Sequence, residues 1–259
     1  MFTDPMPTHE AKHEIERRAY RGELLPEVAD FFQNCHRNFK EDAVIRAFRD
    51  ALAWIARLTP PPGRLLDVGS GTGIFLHLAR EQGFAPFGID VCEESAQKAA
   101  VEFGIRVDVG DFEAFAYEPA SFDAITMLDV LEHTVDPKAV LHRARELLKP
   151  GGVLYVAVPN QRCLMTVILD RYIRLGGPGR AFFLERLYVS PHVYYFNPTT
   201  LVRMIREAGF EMAAVKGGNV YLGRYRLPWT MRLPMEIVLQ VGALVGMGAK
   251  IHALARRPD

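Results

Sequence analysis

Glycines and carboxylates cluster in the first half of the chain in an order that suits a nucleotide-like ligand. The stretch LLDVGSGTG at 65–73 places a buried-strand run before Gly69, Gly71 and Gly73. Glycines at such a turn let the backbone pass close beneath a ligand, and the helix that follows points its N-terminus at that ligand. A second apolar run, APFGID, ends at Asp90, whose carboxylate can accept hydrogen bonds from both hydroxyls of a ribose. These residues predict a site for an adenosyl ligand.

The spacing of the glycines separates two classes of adenosyl cofactor. A dinucleotide site usually has the pattern G-x-G-x-x-G. Here the third glycine, Gly73, comes one residue early, and Ile74 occupies the dinucleotide position. The spacing therefore favours S-adenosylmethionine over NAD, and an NAD-binding protein is the alternative.

Strands and helices must alternate to place these residues together. Three further segments follow at intervals typical of βα units: GDFEAF at 110–115, FDAITMLDVLEHTVDP at 122–137 and LLKPGGVLYVAVPN at 147–160. This alternation predicts an α/β fold with a doubly wound, mostly parallel sheet. Asn197 before Pro198 marks the start of one helix. We expect helices near 73–82, 93–103, 137–148 and 199–208.

Together these motifs resemble the class I S-adenosylmethionine-dependent methyltransferases, in particular the branch of ubiquinone-biosynthesis O-methyltransferases and of natural-product and glycan methyltransferases. The resemblance covers about residues 64–216. It implies a Rossmann-like fold, S-adenosyl-L-methionine as cofactor and S-adenosyl-L-homocysteine as product. The segment KIHALARRP, from residue 250, is then the antiparallel last strand of the sheet.

The resemblance also implies which residues contact the cofactor. Asp129 reaches either the cofactor or the methyl acceptor, and its role stays open. The other implied contacts are Asp67, Gly69, Gly71 and Gly73 at the methionine portion, Asp90 with the adjoining Val91 at the ribose, Asp111 and Phe112 at the adenine, and Leu128 on its other face.

Methyl transfer to a hydroxyl needs positioning, a dry pocket and removal of a proton. His133 is the first candidate base, because it follows the fourth strand and a histidine near its usual pKa of about 6.5 accepts a proton at neutral pH. The alternative is that Glu132 and His133 only organise their loop. His192 is the rival base, in a segment whose Tyr194 and Tyr195 are candidates for acceptor binding or for core packing. No histidine spacing calls for a metal, so we predict none.

Composition agrees with a soluble catalytic domain, and the cysteines and the N-terminus favour the cytoplasm. The chain is 49% hydrophobic and carries 31 acidic and 31 basic side chains. Nucleic-acid-binding proteins usually carry a basic excess, so a nucleic acid partner is disfavoured. The cysteines at 35, 92 and 163 show no metal or redox spacing, and the N-terminus lacks the pattern of a secretion signal.

Two insertions and a cap extend the minimal core. We divide the chain into a helical cap at 1–62 and a core at 63–259, with insertions at 161–190 and 220–248. The first 19 residues are polar and are predicted to be loose, whereas apolar positions at helical spacing predict helix within 23–58.

The insertions themselves suggest a surface function. The one at 161–190 carries five arginines against two acidic residues, which suits a lid or an interfacial surface. The stretch Ile237 to Met247 is too short to span a membrane. It either packs on the core, the lid or a second subunit, or lies in a membrane interface. Three interpretations therefore stay open: packing on the core or lid, a homo-oligomer, or peripheral contact through 161–190 and 229–248 with the inner face of a membrane.

These observations predict an S-adenosylmethionine-dependent methyltransferase that acts on a hydroxyl of a small, lipophilic or bulky acceptor. Two alternatives stay open. One is N- or C-methylation of a natural product or sugar, and the other is a scaffold that binds the cofactor without catalysis.

Overall fold

The fold was analysed in a computed structural model, which describes residues 8–20, 23, 43–176, 192–220, 222 and 229–259. The strands are β1 (Arg64–Val68), β2 (Ala85–Asp90), β3 (Val107–Val109), β4 (Phe122–Leu128), β5 (Leu148–Pro159), β6 (Glu211–Gly218) and β7 (Lys250–Arg256). The α-helices are α1 (His9–Tyr20), α2 (Ala43–Ala56), α3 (Ile74–Glu81), α4 (Glu93–Phe103), α5 (Pro137–Leu147), α6 (Leu164–Arg174), α7 (Pro198–Glu207) and α8 (Trp229–Leu244). A short 3₁₀ helix covers Leu131–His133.

The seven strands form one sheet in the order β3-β2-β1-β4-β5-β7-β6. All neighbours are parallel except β7, which runs antiparallel to both β5 and β6. This confirms the predicted mostly parallel sheet with its antiparallel last strand. The carboxyl ends of β1, β2, β4 and β5 therefore meet the start of β7 at one edge, where α/β sheets bind ligands.

Both faces of the sheet are covered, so its central strands are apolar on both sides. One core cluster joins the sheet to α5 and α7 through residues such as Val140 and Leu201. The other joins it to α2, α3 and α4 through Ile45, Phe75 and Ala99. Because helices cover both faces of the sheet, they hold in place the edge at which the ligand site lies.

The predicted helices are confirmed at 74–81, 93–103, 137–147 and 198–207. Asn197 caps α7, because its side chain accepts from the backbone N–H of Thr200 at 3.1 Å while the Thr200 hydroxyl accepts from the Asn197 N–H at 3.0 Å. This reciprocal capping box is the local signal that the sequence carried.

The prediction that residues 1–19 are loose is wrong for 9–19, which belong to α1, whereas residues 1–7 lie outside the described part of the chain. The hydroxyl of Thr8 accepts from the Ala11 N–H at 3.2 Å, and Glu14 pairs with Arg17 at 3.0 Å. Helix α2 confirms the helix predicted within 23–58 for the residues it covers, whereas residues 24–42 lie outside the described part. Because α2 packs in the same cluster as β1, the domain boundary at 62 stays a prediction.

The two insertions contact each other near the site edge. The N–H of Leu164, at the start of α6, donates to the carbonyl of Met247 at 3.0 Å, and Gly242 of α8 lies against the same leucine. The remainder of the first insertion, 177–190, and residues 221 and 223–228 of the second are outside the described ranges. Across the described helices, none combines the length and apolarity needed to cross a membrane.

Candidate functional site

The loop between β1 and α3 forms the floor of the candidate cofactor site. Gly69, Gly71 and Gly73 all have left-handed backbones, with φ of 69°, 52° and 78°. A Cβ on Gly69 would lie 2.6 Å from the Val130 side chain, and one on Gly73 would lie 2.8 Å from Ala99. A Cβ on Gly71 would instead project into open space. The loop is therefore closely packed beneath and open at Gly71, as a cradle for a ligand must be.

Asp90 joins the end of β2 to this loop. Its carboxylate accepts from the Gly71 N–H at 2.7 Å and from the Cys92 N–H at 2.9 Å. These two bonds hold the Asp90 carboxylate against the glycine loop at the end of β2. The neighbouring Val91 is half-buried. This placement suits the ribose contact that the sequence predicted.

Asp67 lies deeper, on β1, and is almost entirely buried. The hydroxyl of Thr126, its register partner on β4, donates to the carboxylate at 2.6 Å. Burial, with a smaller contribution from Asp90, raises the pKa of Asp67 to about 7, against the lowering effect of the Thr126 hydrogen bond. A cationic group bound above it would favour the ionised form.

The predicted adenine contacts follow β3. The Asp111 carboxylate accepts from the Glu113 N–H at 2.9 Å and lies 3.6 Å from the His13 imidazole of α1. Phe112 is buried in a core cluster, and Leu128, at the end of β4, is half-buried. Helix α1 thus reaches the predicted adenine end, a contact that the sequence did not predict.

The candidate bases come together beyond β4. His133 ends the 3₁₀ helix, and its ring lies 4.7 Å from the ring of His192 in an edge-to-face arrangement. The backbone carbonyl of Glu132 accepts from the N–H groups of Val193 and Tyr194 at 2.8 and 3.0 Å. The segment with the rival histidine is therefore fixed to the loop with the first candidate, and the structure joins two residues that the sequence treated as competitors.

The two predicted acceptor-binding tyrosines differ in their surroundings. The Tyr194 hydroxyl donates to the Val135 carbonyl at 3.2 Å, and its ring stacks on Phe196 and packs on the core. The Tyr195 ring lies 6.2 Å from the His192 ring. Tyr195 thus lies beside the candidate bases, while Tyr194 mainly holds the segment. Acceptor binding by either residue stays a prediction.

Burial lowers the pKa of His192 to about 4. The negative charge of Asp129 raises this pKa, and the positive charge of Lys250 lowers it further.

Donor atoms of Glu132, His133 and His192 lie within 4.8 Å of one another, a spacing that a metal ion can use. The prediction of no metal stays a prediction, and this cluster is the place to test it.

One charged residue at this edge was not predicted from the sequence to belong to the site. Lys250, the first residue of β7, forms an ion pair with Asp129, the residue after β4. Asp129 has a left-handed backbone, with φ of 58°. The only sequence signal was a lysine at the start of the predicted last strand, and it did not show which loop that lysine would meet.

Comparison with known proteins assigns the family. The sequence model of a family described as a methyltransferase domain matches residues 39–215. The chain belongs to this methyltransferase family. It is 31% identical over 219 residues to the ubiquinone biosynthesis O-methyltransferase of Ralstonia nicotianae, which covers 79% of this chain and 87% of that relative. The enzyme of the same name from Burkholderia pseudomallei is 29% identical over 204 residues, covering 74% and 85%.

A solved structure supports the fold of this methyltransferase. The crystal structure of an S-adenosylmethionine-dependent methyltransferase from Mesorhizobium loti superposes with a TM-score of 0.57 at 15% identity, covering 85% of this chain and 100% of that chain. The predicted family, fold and cofactor are thereby confirmed: the protein is an S-adenosylmethionine-dependent methyltransferase. The open glycine cradle at Gly71 and the oriented carboxylate of Asp90 fit this cofactor.

Proposed function

We propose that this methyltransferase methylates a hydroxyl group of a small, lipophilic or bulky acceptor. The observation that carries the proposal is the pair of imidazoles, His133 and His192, at the carboxyl edge of β4. A hydroxyl is a weak nucleophile until it loses its proton, so a positioned base is useful for O-methylation in particular. The ubiquinone biosynthesis O-methyltransferases named above support a hydroxyl acceptor for this chain as well.

The bound cofactor supplies a methyl group already activated by its sulfonium. Asp67, Asp90 and Asp111 with the glycine loop are the residues that would hold it. The remaining work falls to the chain's own residues: the acceptor must be oriented, water excluded and a proton removed.

His133 is the proposed proton acceptor, and His192 its neighbour. A pKa of about 4 keeps His192 neutral at physiological pH, but it also makes that imidazole a weak base there. A neutral His192 adds no positive charge next to a cationic sulfonium. We therefore assign proton removal to His133 and orientation of the acceptor or of His133 to His192.

The proposal is tested with His133→Ala and a matched control, His142→Ala, which removes an exposed histidine of α5. We expect His133→Ala to lower kcat by roughly 100-fold or more on phenolic acceptors, the usual contribution of a general base. S-adenosylmethionine affinity should stay within about twofold, since His133 lies beyond the cofactor cradle. The control should resemble the parent enzyme. Full turnover in His133→Ala would exclude His133 as the base.

Peripheral membrane contact is a second proposal, supported by the outward face of α8. Trp229, Leu233, Ile237 and Val241 recur every four residues and are between 44% and 77% exposed. Residues 220–248 carry three arginines and one glutamate. An apolar helical face with tryptophan and flanking arginines suits the interface of an anionic membrane, and it would bring the enzyme to lipophilic acceptors at the inner face of that membrane.

Sedimentation with vesicles of phosphatidylglycerol and phosphatidylcholine tests this surface. The paired change Leu233→Glu and Ile237→Glu should abolish binding, whereas Val101→Glu, at an isolated exposed apolar residue of α4, should leave it unchanged. Equal sedimentation of the parent protein and of the variant with both Leu233→Glu and Ile237→Glu would contradict membrane contact through α8. A parent protein that stays in solution as a dimer, dissociated by the paired change, would assign the face to a second copy instead.

A further inference from the structure

Lys250 is held at the site edge by the antiparallel course of β7. It pairs with Pro159 at the end of β5 and with Gly218 at the end of β6. Asn160 fixes the preceding turn: its side-chain amide donates to the Gly248 carbonyl, and its backbone N–H donates to the Ala249 carbonyl, each at 2.8 Å. Because β7 begins where the parallel strands end, its first side chain belongs to the functional edge of the sheet.

The side chain of Lys250 is largely removed from solvent, with 18% of it exposed. Its described partner is Asp129, whose left-handed backbone is anchored by an N–H that donates to the Ala157 carbonyl at 2.9 Å. Non-glycine residues in this conformation cluster at functional sites. An ammonium has three donors, and one contact with Asp129 fixes the direction of the group while the other two can serve a ligand.

The same cation is close to two histidines. Its charge helps burial to lower the pKa of His192 and that of His252. Its ion-pair partner Asp129 follows β4 and lies two residues before the 3₁₀ helix that ends at His133, so Lys250 lies at the same edge of the sheet as the candidate bases. Seen along the sheet, Asp90 and the glycine loop lie above β1 and β2, whereas Lys250 lies on the far side of β4 and β5. This position is remote from the predicted ribose contact and lies on the side of β4 and β5.

We infer that Lys250 determines acceptor specificity by binding an anionic oxygen group, a carboxylate, on the methyl acceptor. The inference rests on the proposed function, because it places the acceptor beside His133. A carboxylate suits this position better than a phosphate, because a phosphate group carries nearly two negative charges and three acceptor oxygens, more than one ammonium already paired with Asp129 can match. Asp129 holds the lysine in place, and the acceptor carboxylate takes the remaining donors.

Binding of a matched pair of probes tests the inference. The probes are 3,4-dihydroxybenzoate and its methyl ester, which share the ring and the hydroxyls and differ in charge. Calorimetry is run on the protein saturated with S-adenosylhomocysteine. The parent protein should bind the acid at least about tenfold more tightly than the ester, the range expected for one charge-assisted hydrogen bond in a partly dry site.

Three variants separate the charge from the fold. Lys250→Met should bring the affinity for the acid down to that of the ester, and Lys250→Arg should keep most of the preference. The control Lys149→Met breaks a comparable Lys–Asp pair between β5 and β4, with Asp123, at the opposite edge of the sheet. It should leave the preference intact. All variants should keep the parent affinity for S-adenosylhomocysteine, which reports on the fold.

Equal affinity of the parent protein for acid and ester, no binding of the acid, or an unchanged preference in Lys250→Met would overturn the inference. Methyl transfer to the ester, followed in the same preparations, reports on the proposed function separately. Turnover of the ester without any preference for the acid would leave O-methylation standing and remove the role of Lys250.

Discussion

Asp67 gives the sharpest test of the site electrostatics, because replacing one oxygen by nitrogen removes its charge with little change in shape. Its pKa rises from 3.8 to about 7 in the folded protein, chiefly through burial. Three pKa units correspond to about 4 kcal/mol at 1.36 kcal/mol per unit. The folded state holds a proton that the unfolded state releases, so the stability of the cofactor-free protein should fall by about this amount between pH 4 and pH 7.

Asp67→Asn should lose this pH dependence, since an amide does not titrate and its oxygen can still accept from Thr126. Urea unfolding at about pH 4.5 and about pH 8 checks this. We expect the variant to be more stable than the parent at the higher pH and similar at the lower pH. Thr126→Val should steepen the loss, because it removes the hydrogen bond that favours the ionised carboxylate. A stability difference between Asp67→Asn and the parent that does not change with pH would refute the reasoning.

Three further predictions concern the cofactor contact, acid stability and metal dependence. Asp90→Ala should weaken S-adenosylmethionine binding roughly 100-fold in calorimetry, since ribose hydrogen bonds and the anchor of Gly71 are lost together; unchanged affinity would remove the ribose assignment. Burial lowers the pKa of His252 to about 4, so its contribution to stability is present above about pH 6.5 and disappears as the pH falls through 4. His252→Gln should therefore lose less stability in urea on acidification, and a loss as steep as the parent's would count against this. Treatment with EDTA should leave turnover unchanged, because the Lys250 cation near His192 disfavours a divalent ion; activity that is lost and restored by added metal would show that the prediction of no metal is wrong.

The fold could be predicted because its signals are local. Apolar runs, glycine turns and helix starts such as Asn197 each lie within a few residues of the feature they specify. Helix α1 was missed because it is strongly polar: its repeating apolar positions are two alanines and Ile15, which give a weak helical signal. Its signal was also local, a capping Thr8 and the Glu14–Arg17 pair, but both are weak and occur in loops as well.

In the candidate site too, contacts within one local unit could be predicted, whereas contacts between distant segments could not. The glycine loop and Asp90 are 19 residues apart and belong to one strand-turn-helix-strand unit, so sequence spacing could place them. Lys250 and Asp129 are 121 residues apart and meet only because β7 returns antiparallel beside β5. The contact of His133 with His192 likewise depends on backbone bonds to Glu132. Such contacts arise from the packing of distant segments, which residue spacing does not reveal.

The position of the transferred methyl group in the product shows which acceptor atom the enzyme uses. The enzyme is incubated with S-adenosylmethionine carrying a ¹³C-labelled methyl group and with a panel of phenols, catechols and matched amines, and the labelled products are examined by NMR. O-methylation at a hydroxyl predicts label in aryl methyl ether products, strongly reduced in His133→Ala and unchanged in His142→Ala. Label confined to nitrogen- or carbon-bound methyl groups, or ether products undiminished in His133→Ala, would contradict the account.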